Sequence, residues 1–360
     1  MAMTPRKPRA GSGRQNGAPT IADVAALAGV STMTVSRVIN AENNVRDSTR
    51  ETVTAAIAEL NYAPNRAARS LAGASHLRLG LLYSNPSAAY LSEFLVGSLD
   101  QAGRSDIQLV VEKCELGDHE RRVVERMINS GIDGVILPPP LCDSRSVLDV
   151  LIAARVPTVV VATGCPPKEC AAISIDDRGA AQAMTQHLIE LGHARIGFIT
   201  GNPNLTASGQ RLDGYRAALA AAGMPFDEQL VADGLFTYRS GLDAADELLE
   251  RDDPPTAIFA SNDDMAAATV AVAHRRGLDV PGDLTVCGFD DSALATTIWP
   301  ELTTIHQPIA DMSRAAVELL TAMLRGKRGS DVRHVTLEYT LIRRQSDAAP
   351  RRRPPARVKK

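Results

Sequence analysis

From residue 79 onward the chain repeats one texture: short unbroken runs of Val, Ile, Leu and Ala alternate with stretches of helical periodicity. The runs fall at 79–83, 108–112, 134–137, 158–161, 196–199, 230–233, 257–259 and 285–289. Between and after them the spacing predicts helices at 91–102, 120–130, 147–154, 180–191, 210–222, 240–250, 264–276 and 312–324. A strand that is apolar at every position must be covered on both faces, which a parallel sheet sandwiched between helices provides. So many strands overfill one doubly wound sheet, and the pattern predicts two similar α/β lobes, each with its own sheet. A cleft between such lobes is a usual place for a small ligand.

The ends of the chain break this texture. Residues 1–76 carry nine Lys/Arg against five Asp/Glu, residues 77–345 carry 24 against 36, and residues 346–360 carry six against one. An acidic body therefore lies between two basic ends, and a basic N-terminal module is the electrostatic footprint of a nucleic-acid partner. Residues 1–18 and 346–360 read as disordered basic tails, which could serve solubility alone or add phosphate contacts. The first tail lacks the apolar core of a secretory signal, and no apolar run reaches the roughly 18–20 residues of a membrane span. Five scattered cysteines with no CxxC pair suggest neither a disulfide framework nor a zinc site, and fit a reducing cytoplasm. No P-loop, GxGxxG after a strand, GxSxG or HExxH is present, so no enzyme, cofactor or metal is expected. His187 and His193 read as surface or cap residues, and Trp299 as a structural residue near the cleft.

Between the first tail and the body lie three short helices. Thr20 and Asp23 form a variant of the capping box, with Ile21, Val24, Ala25 and Ala28 following at helical spacing. Gly29 breaks that helix; a second runs over 32–39 and a third over 47–60. The first two, joined by Gly29-Val30-Ser31, make a helix-turn-helix. The second opens with Ser31, Thr32, Met33 and Thr34, small or flexible side chains able to reach base edges and phosphates, and Arg37 can offer guanine a bidentate fork. Thr20 and Asn40 can donate to phosphates, and the helix start at Thr20 favours an anion.

The block TIADVAALAGVSTMTVSRVIN at 20–40, followed by NYAPNRAARSLAG at 61–73, resembles the lactose-repressor (LacI/GalR) family of bacterial transcription regulators. SNDDM at 261–265, GFDD at 288–291 and LTTI at 302–305 extend the likeness over residues 19–345. The resemblance implies an all-α helix-turn-helix headpiece (19–64), a hinge (65–76) and a two-lobed body of the periplasmic-binding-protein type 1 fold (77–345). Thr32, Met33 and Arg37 would then face bases, while Thr20, Ser31, Thr34, Ser36 and Asn40 hold the DNA backbone. In the hinge, Asn65 and Arg66 would meet the backbone, Ala68 approach the minor-groove floor, and Leu71 wedge between central base pairs.

In the body, the resemblance assigns Arg211, Asn262 and Asp290 to an effector, with Phe236 as a stacking face and Tyr90 and Gln307 as secondary candidates. The plainer readings are helix caps for Asn262 and Asp290, a surface ion pair for Arg211 and a core position for Phe236. Ala162 stands where many sugar-responsive members carry Asp. The implied function is a homodimeric cytoplasmic repressor, associated with the bacterial nucleoid, on a near-palindromic double-stranded operator, controlled by a small ligand, a carbohydrate by class. The competing reading is a transport-type sugar-binding protein without a DNA role. The tail after Pro350 has no leucine heptad, so no tetramerising helix is expected.

Overall fold

The computed structural model describes residues 19–39, 45–60, 77–84, 87–115, 117, 119–326 and 334–351. The chain divides into two compact units between Ser75 and His76. Asn40, Asn65, Arg66, Ala68 and Leu71, with residues 1–18, the hinge and residues 352–360, lie outside the described residues.

The first unit holds α1 (Ile21–Ala28), α2 (Thr32–Ile39) and α3 (Asp47–Glu59). Both arms of the capping box form: the Asp23 N–H donates to Thr20 Oγ1 at 3.4 Å and the Thr20 N–H to Asp23 Oδ2 at 2.8 Å. Gly29 ends α1 at φ 66°, a left-handed conformation that glycine adopts without Cβ strain, and its N–H returns to the Ala25 carbonyl. Ser31 Oγ accepts from the Thr34 N–H at 3.1 Å and opens α2. Val24, Ala25, Val35, Val38, Val53 and Ala56 form the core; at about 1.5–3 kcal/mol per fully buried valine, these contacts carry the unit.

The second unit contains two six-stranded sheets. The first is built from β1 (Leu77–Tyr83), β2 (Ile107–Lys113), β3 (Gly134–Leu137), β4 (Thr158–Val161), β5 (Ala171–Ser174) and β11 (His334–Thr336), in the order β11-β5-β4-β3-β1-β2. Every pairing in it is parallel. Helices α4 (Ala88–Arg104), α5 (Glu120–Asn129), α6 (Arg145–Ala153) and α12 (Ile309–Leu324) complete this lobe. The second sheet holds β6 (Ile196–Ile199), β7 (Val231–Ala232), β8 (Ala257–Ala260), β9 (Thr285–Asp290), β10 (Thr303–His306) and β12 (Thr340–Ile342), in the order β12-β10-β9-β8-β6-β7. Only β12 runs antiparallel, against β10. Helices α7 (Asp177–Glu190), α8 (Thr206–Ala221), α9 (Tyr238–Leu249), α10 (Asp263–Arg275) and α11 (Leu294–Thr297) belong to it. The chain crosses between lobes after β5, after β10 and after β11. Strands β3, β4, β6 and β8 are buried along their whole length, as continuous apolar runs require.

Three expectations are corrected here. The C-terminal tail does not begin at 346: Ser346 and Asp347 are buried. Ser346 Oγ accepts from the Thr303 N–H at 2.8 Å, and Asp347 accepts from Thr303 Oγ1 and Arg343. The backbone at Ser346 and Ala348 completes hydrogen bonds that Val286 and Thr285 on β9 would otherwise lack, so these residues are held like an extra strand. His187 and His193 are not surface or cap residues. His187 Nε2 meets Asp347 at 2.8 Å, and buried His193 bridges Thr256 and the Ala348 carbonyl at 2.8 and 2.9 Å. Trp299 is 74% exposed and does not line the cleft, so it packs little.

Candidate functional site

A cleft of about 580 Å³, counting space open to solvent, lies between the lobes at the carboxyl ends of the strands. That is where open parallel sheets present ligands, because helix starts and loops converge there. All six sequence-derived cleft residues, Tyr90, Arg211, Phe236, Asn262, Asp290 and Gln307, line it. Sequence reasoning did not pick out Ser87, Pro139, Pro140, Asn202, Leu205, Ala207 and Leu235 in the same cleft.

Arg211 lies within α8, whose start is four residues upstream of the expected one, at Thr206. Its guanidinium is buried and lies 3.6 Å over the Phe289 ring and 5.7 Å from that of Phe236. Nε donates to Asp177 Oδ1 at 2.8 Å and Nη1 to the Ser261 carbonyl at 2.5 Å; Asp290 Oδ1 stands 4.0 Å from Nη1. The surface-ion-pair reading of Arg211 therefore fails, since its main partner, Asp177, is as buried as itself. Asp177 is a residue that sequence reasoning missed. It follows Asp176, which caps α7 through the Gly179 N–H, so a second acid at that point has no capping work to do.

Burial pushes Asp290 well above the usual carboxylate range, against the pull of Arg211, and raises Asp177 in the same way. The Tyr90 hydroxyl is also driven up by burial. Gln307 Nε2 donates to Asp290 Oδ1 at 3.1 Å, while Gln307 Oε1 and the Tyr90 hydroxyl are buried without a partner among the described residues. Asn262 does both jobs considered for it: Oδ1 caps α10 by accepting from the Met265 N–H at 3.0 Å, and its amide lines the cleft and donates to the Phe236 carbonyl at 3.2 Å. Asp290 is the last residue of β9 rather than a cap. Phe236 is half-buried; its ring lies where a Cβ on Gly201 would be, so only glycine at 201 admits it.

Strain concentrates here. Six described non-glycine residues have positive φ, and Ala162 (57°), Phe236 (60°) and Asp290 (109°) all line the cleft, with Asp291 (57°) adjoining. Such backbones persist where the surroundings fix them, and they cluster at ligand sites. Hydrogen bonds tie the lobes across the cleft. Ser87 Oγ donates to Asp264 Oδ2 at 2.6 Å, Thr206 donates from its N–H and hydroxyl to Asp143 at 2.9 Å, and the Gly164 N–H donates to Thr206 Oγ1 at 2.7 Å.

On the headpiece, Thr20, Ser31, Thr32, Met33 and Arg37 are exposed, and Thr34 and Ser36 are half-buried. Burial of Val35 and Val38 turns Thr32, Met33 and Arg37 outward; Met33 is 63% exposed and Arg37 lies along its sulfur at 3.8 Å. Thr20 and Ser31 hydroxyls are engaged in caps, with Ser31 Oγ 2.9 Å from Thr34 Oγ1. Among the described residues no three His, Cys, Asp or Glu side chains are grouped to hold a metal ion, and no single helix is long and apolar enough to cross a membrane.

Residues 20–65 match bacterial regulatory proteins of the lacI family, and residues 185–346 match a periplasmic binding protein-like domain. The HTH-type transcriptional regulator CelR of Thermobifida fusca is 38% identical over 332 residues, covering 90% of this chain and 97% of that protein. Catabolite control protein A of Priestia megaterium is 34% identical over 329 residues, covering 91% and 98%. Among solved structures, a transcriptional regulator CelR–cellobiose complex aligns with TM-score 0.71 at 36% identity, over 91% of this chain and 100% of that one. The lac repressor dimer bound to operator and the anti-inducer ONPF aligns with TM-score 0.68 at 28% identity, over 92% and 100%. With a helix-turn-helix headpiece ahead of a two-lobed, periplasmic-binding-protein-like body, the chain belongs to the lacI family of bacterial regulatory proteins, which are DNA-binding transcription regulators.

Proposed function

We propose that this chain is a cytoplasmic repressor that binds a near-palindromic operator as a homodimer and releases or gains it when a carbohydrate enters the interlobe cleft. The observation that carries the effector assignment is the buried polar set on one wall. A guanidinium, an amide and a carboxylate surround space that also receives the unpartnered Gln307 Oε1 and Tyr90 hydroxyl. A buried polar group without a partner costs about 1–3 kcal/mol, and sugar hydroxyls, each donor and acceptor, satisfy such groups. The cellobiose complex of a similar regulator supports this class.

For DNA, the outward set Thr32, Met33 and Arg37 supplies base contacts, and Thr20, Ser31, Thr34, Ser36 and Asn40 hold the backbone. Asn65, Arg66, Ala68 and Leu71 form the hinge contacts. Two headpieces serve two half-sites, and the lac repressor dimer on operator supports that stoichiometry. Exposed Val96 and Leu99 on α4 give one lobe an apolar face suited to a second copy.

Leu71→Ala tests the reading. An operator selected from random duplexes is titrated at fixed salt, and cleft occupancy is followed by thermal shift with a sugar panel. The variant loses operator affinity by about 1–3 kcal/mol and keeps the sugar response. Unchanged operator affinity refutes the hinge assignment, and no shift with any sugar refutes the effector class.

A further inference from the structure

Polarity in the cleft is divided between the lobes. Arg211, Asn262, Asp290 and Asn202 come from the second lobe, and Gln307 from a crossover. The first lobe contributes, at the ends of β3 and β4, Pro139, Pro140 and Ala162. Prolines have no N–H to donate, and the Ala162 N–H is committed to the Ile173 carbonyl at 2.8 Å. The Ser87 hydroxyl is committed to Asp264, which leaves the buried Tyr90 hydroxyl as the unpartnered one of this wall among the described residues. Leu205 and Ala207, at the start of α8, extend the apolar surface.

Ala162 holds a left-handed backbone at φ 57°. Asp, Asn or Gly would hold that backbone with less strain, Asp and Asn being several-fold enriched there. An alanine at this point gives up backbone comfort to keep a small apolar surface.

Building on the carbohydrate reading above, we propose that the effector is a glycoside with an apolar aglycone. Its hydroxyls sit on Arg211, Asn262, Asp290 and Gln307, and its aglycone lies against the diproline and Ala162. A free sugar or a second sugar unit would press several hydroxyls on a diproline and alanine surface beside which, among the described residues, Tyr90 supplies the one side-chain hydroxyl not already bonded.

The test is calorimetric titration of the full-length protein with matched methyl and phenyl β-D-glycosides of glucose, galactose and xylose, and with cellobiose. Each buried methylene equivalent is worth about fourfold in affinity, so the phenyl glycoside of the preferred sugar binds at least tenfold tighter than its methyl partner. Ala162→Asn suits the backbone and places an amide on the wall; it removes most of that preference. Ala162→Gly also suits the backbone but adds no polar group, and keeps it. Equal binding of methyl and phenyl glycosides, tighter binding of cellobiose, or a preference untouched by Ala162→Asn overturns the aglycone assignment and leaves the carbohydrate reading standing. If none of these sugars binds, both fall.

Discussion

Replacing Arg211 with Met isolates the electrostatics of the cleft. The Met side chain fills much of the arginine stem's volume over Phe289 but supplies no charge. In the native protein one guanidinium serves two buried carboxyls, with Asp177 bonded at 2.8 Å and Asp290 at 4.0 Å. Breaking a buried pair from one side typically costs about 3–5 kcal/mol, because the remaining charge is left in a poorly polarisable environment. For a body of this size that lowers the melting temperature by roughly 5–9 °C. The pH dependence gives the test its edge. Burial already raises both carboxyls, and Arg211 opposes the rise; without it they rise further. A carboxyl whose folded value lies above its unfolded one stabilises the fold at low pH and loses that contribution as pH rises through the folded value. A comparison at about pH 7.5 and at about pH 5 therefore finds the wider gap between variant and native protein at the higher pH, because acid favours the uncharged carboxyls. Adding Asp177→Asn to the variant recovers part of the loss at neutral pH. Scanning fluorimetry at the two pH values reads all of this. Equal melting at neutral pH, or a gap that does not change with pH, refutes the argument.

Two further outcomes follow from buried acids elsewhere. Burial lifts Asp263 to about 7, although hydrogen bonds from Thr304 and Ser292 pull it down; Asp263→Asn should flatten the loss of stability that the native protein shows as pH rises from about 4 to 7, and parallel melting curves for the two proteins would count against this. Asp347 shows the opposite sign: burial raises it, but hydrogen bonds from His187 and Thr303 and the Arg343 charge outweigh burial and hold it below its usual range. Truncation after Gln345 should lower the melting temperature at neutral pH, whereas truncation after Arg351 should leave it near the native value, and the two melting alike would show that the docked segment contributes nothing.

Much of the fold was legible because parallel strands buried on both faces announce themselves as unbroken apolar runs. Strands β3, β4 and β6 begin and end where the runs do, at 134–137, 158–161 and 196–199. Strand β5, Ala171–Ser174, is short and made mostly of small side chains, and β11 and β12 are three-residue edge strands, so pairing rather than sequence defines them. The same limit hid the docked C-terminal segment, where Arg351 sits near Asp279 and Asp283: six basic residues in 15 read as a tail, and the buried Ser346-Asp347 pair within them has no periodicity. The six cleft residues were legible because family likeness and position at strand ends agreed. Asp177 was not, since two acids at a helix start look like one cap and one dipole partner. Nor could sequence show that Ala162 and Phe236 hold left-handed backbones, because neither residue advertises positive φ as glycine does.

The placement of these residues bears on how a ligand could move the lobes. Asp177 begins the helix that follows the first crossover, and Gln307 lies on the second. Arg211 grips Asp177, and Gln307 is bonded to Asp290 by side chain at 3.1 Å and by backbone at 3.3 Å. The polar wall of the cleft thus ties into two of the three connections between lobes through two hydrogen-bonded groups, which the Arg211–Asp290 ion pair at 4.0 Å joins. A ligand that draws Arg211 or Gln307 toward its hydroxyls acts on the connections themselves, without a relay through either core. It also competes with the bonds that already span the cleft, Ser87 to Asp264 and Thr206 to Asp143. The ligand shifts the lobe equilibrium only by the difference between its affinities for the two arrangements. The cross-cleft bonds set the starting point of that equilibrium, so Thr206→Val should change apparent ligand affinity although Thr206 itself does not line the cavity. Unchanged affinity in that variant would mean that the cross-cleft bonds do not bias the lobes and that the ligand's own contacts decide closure.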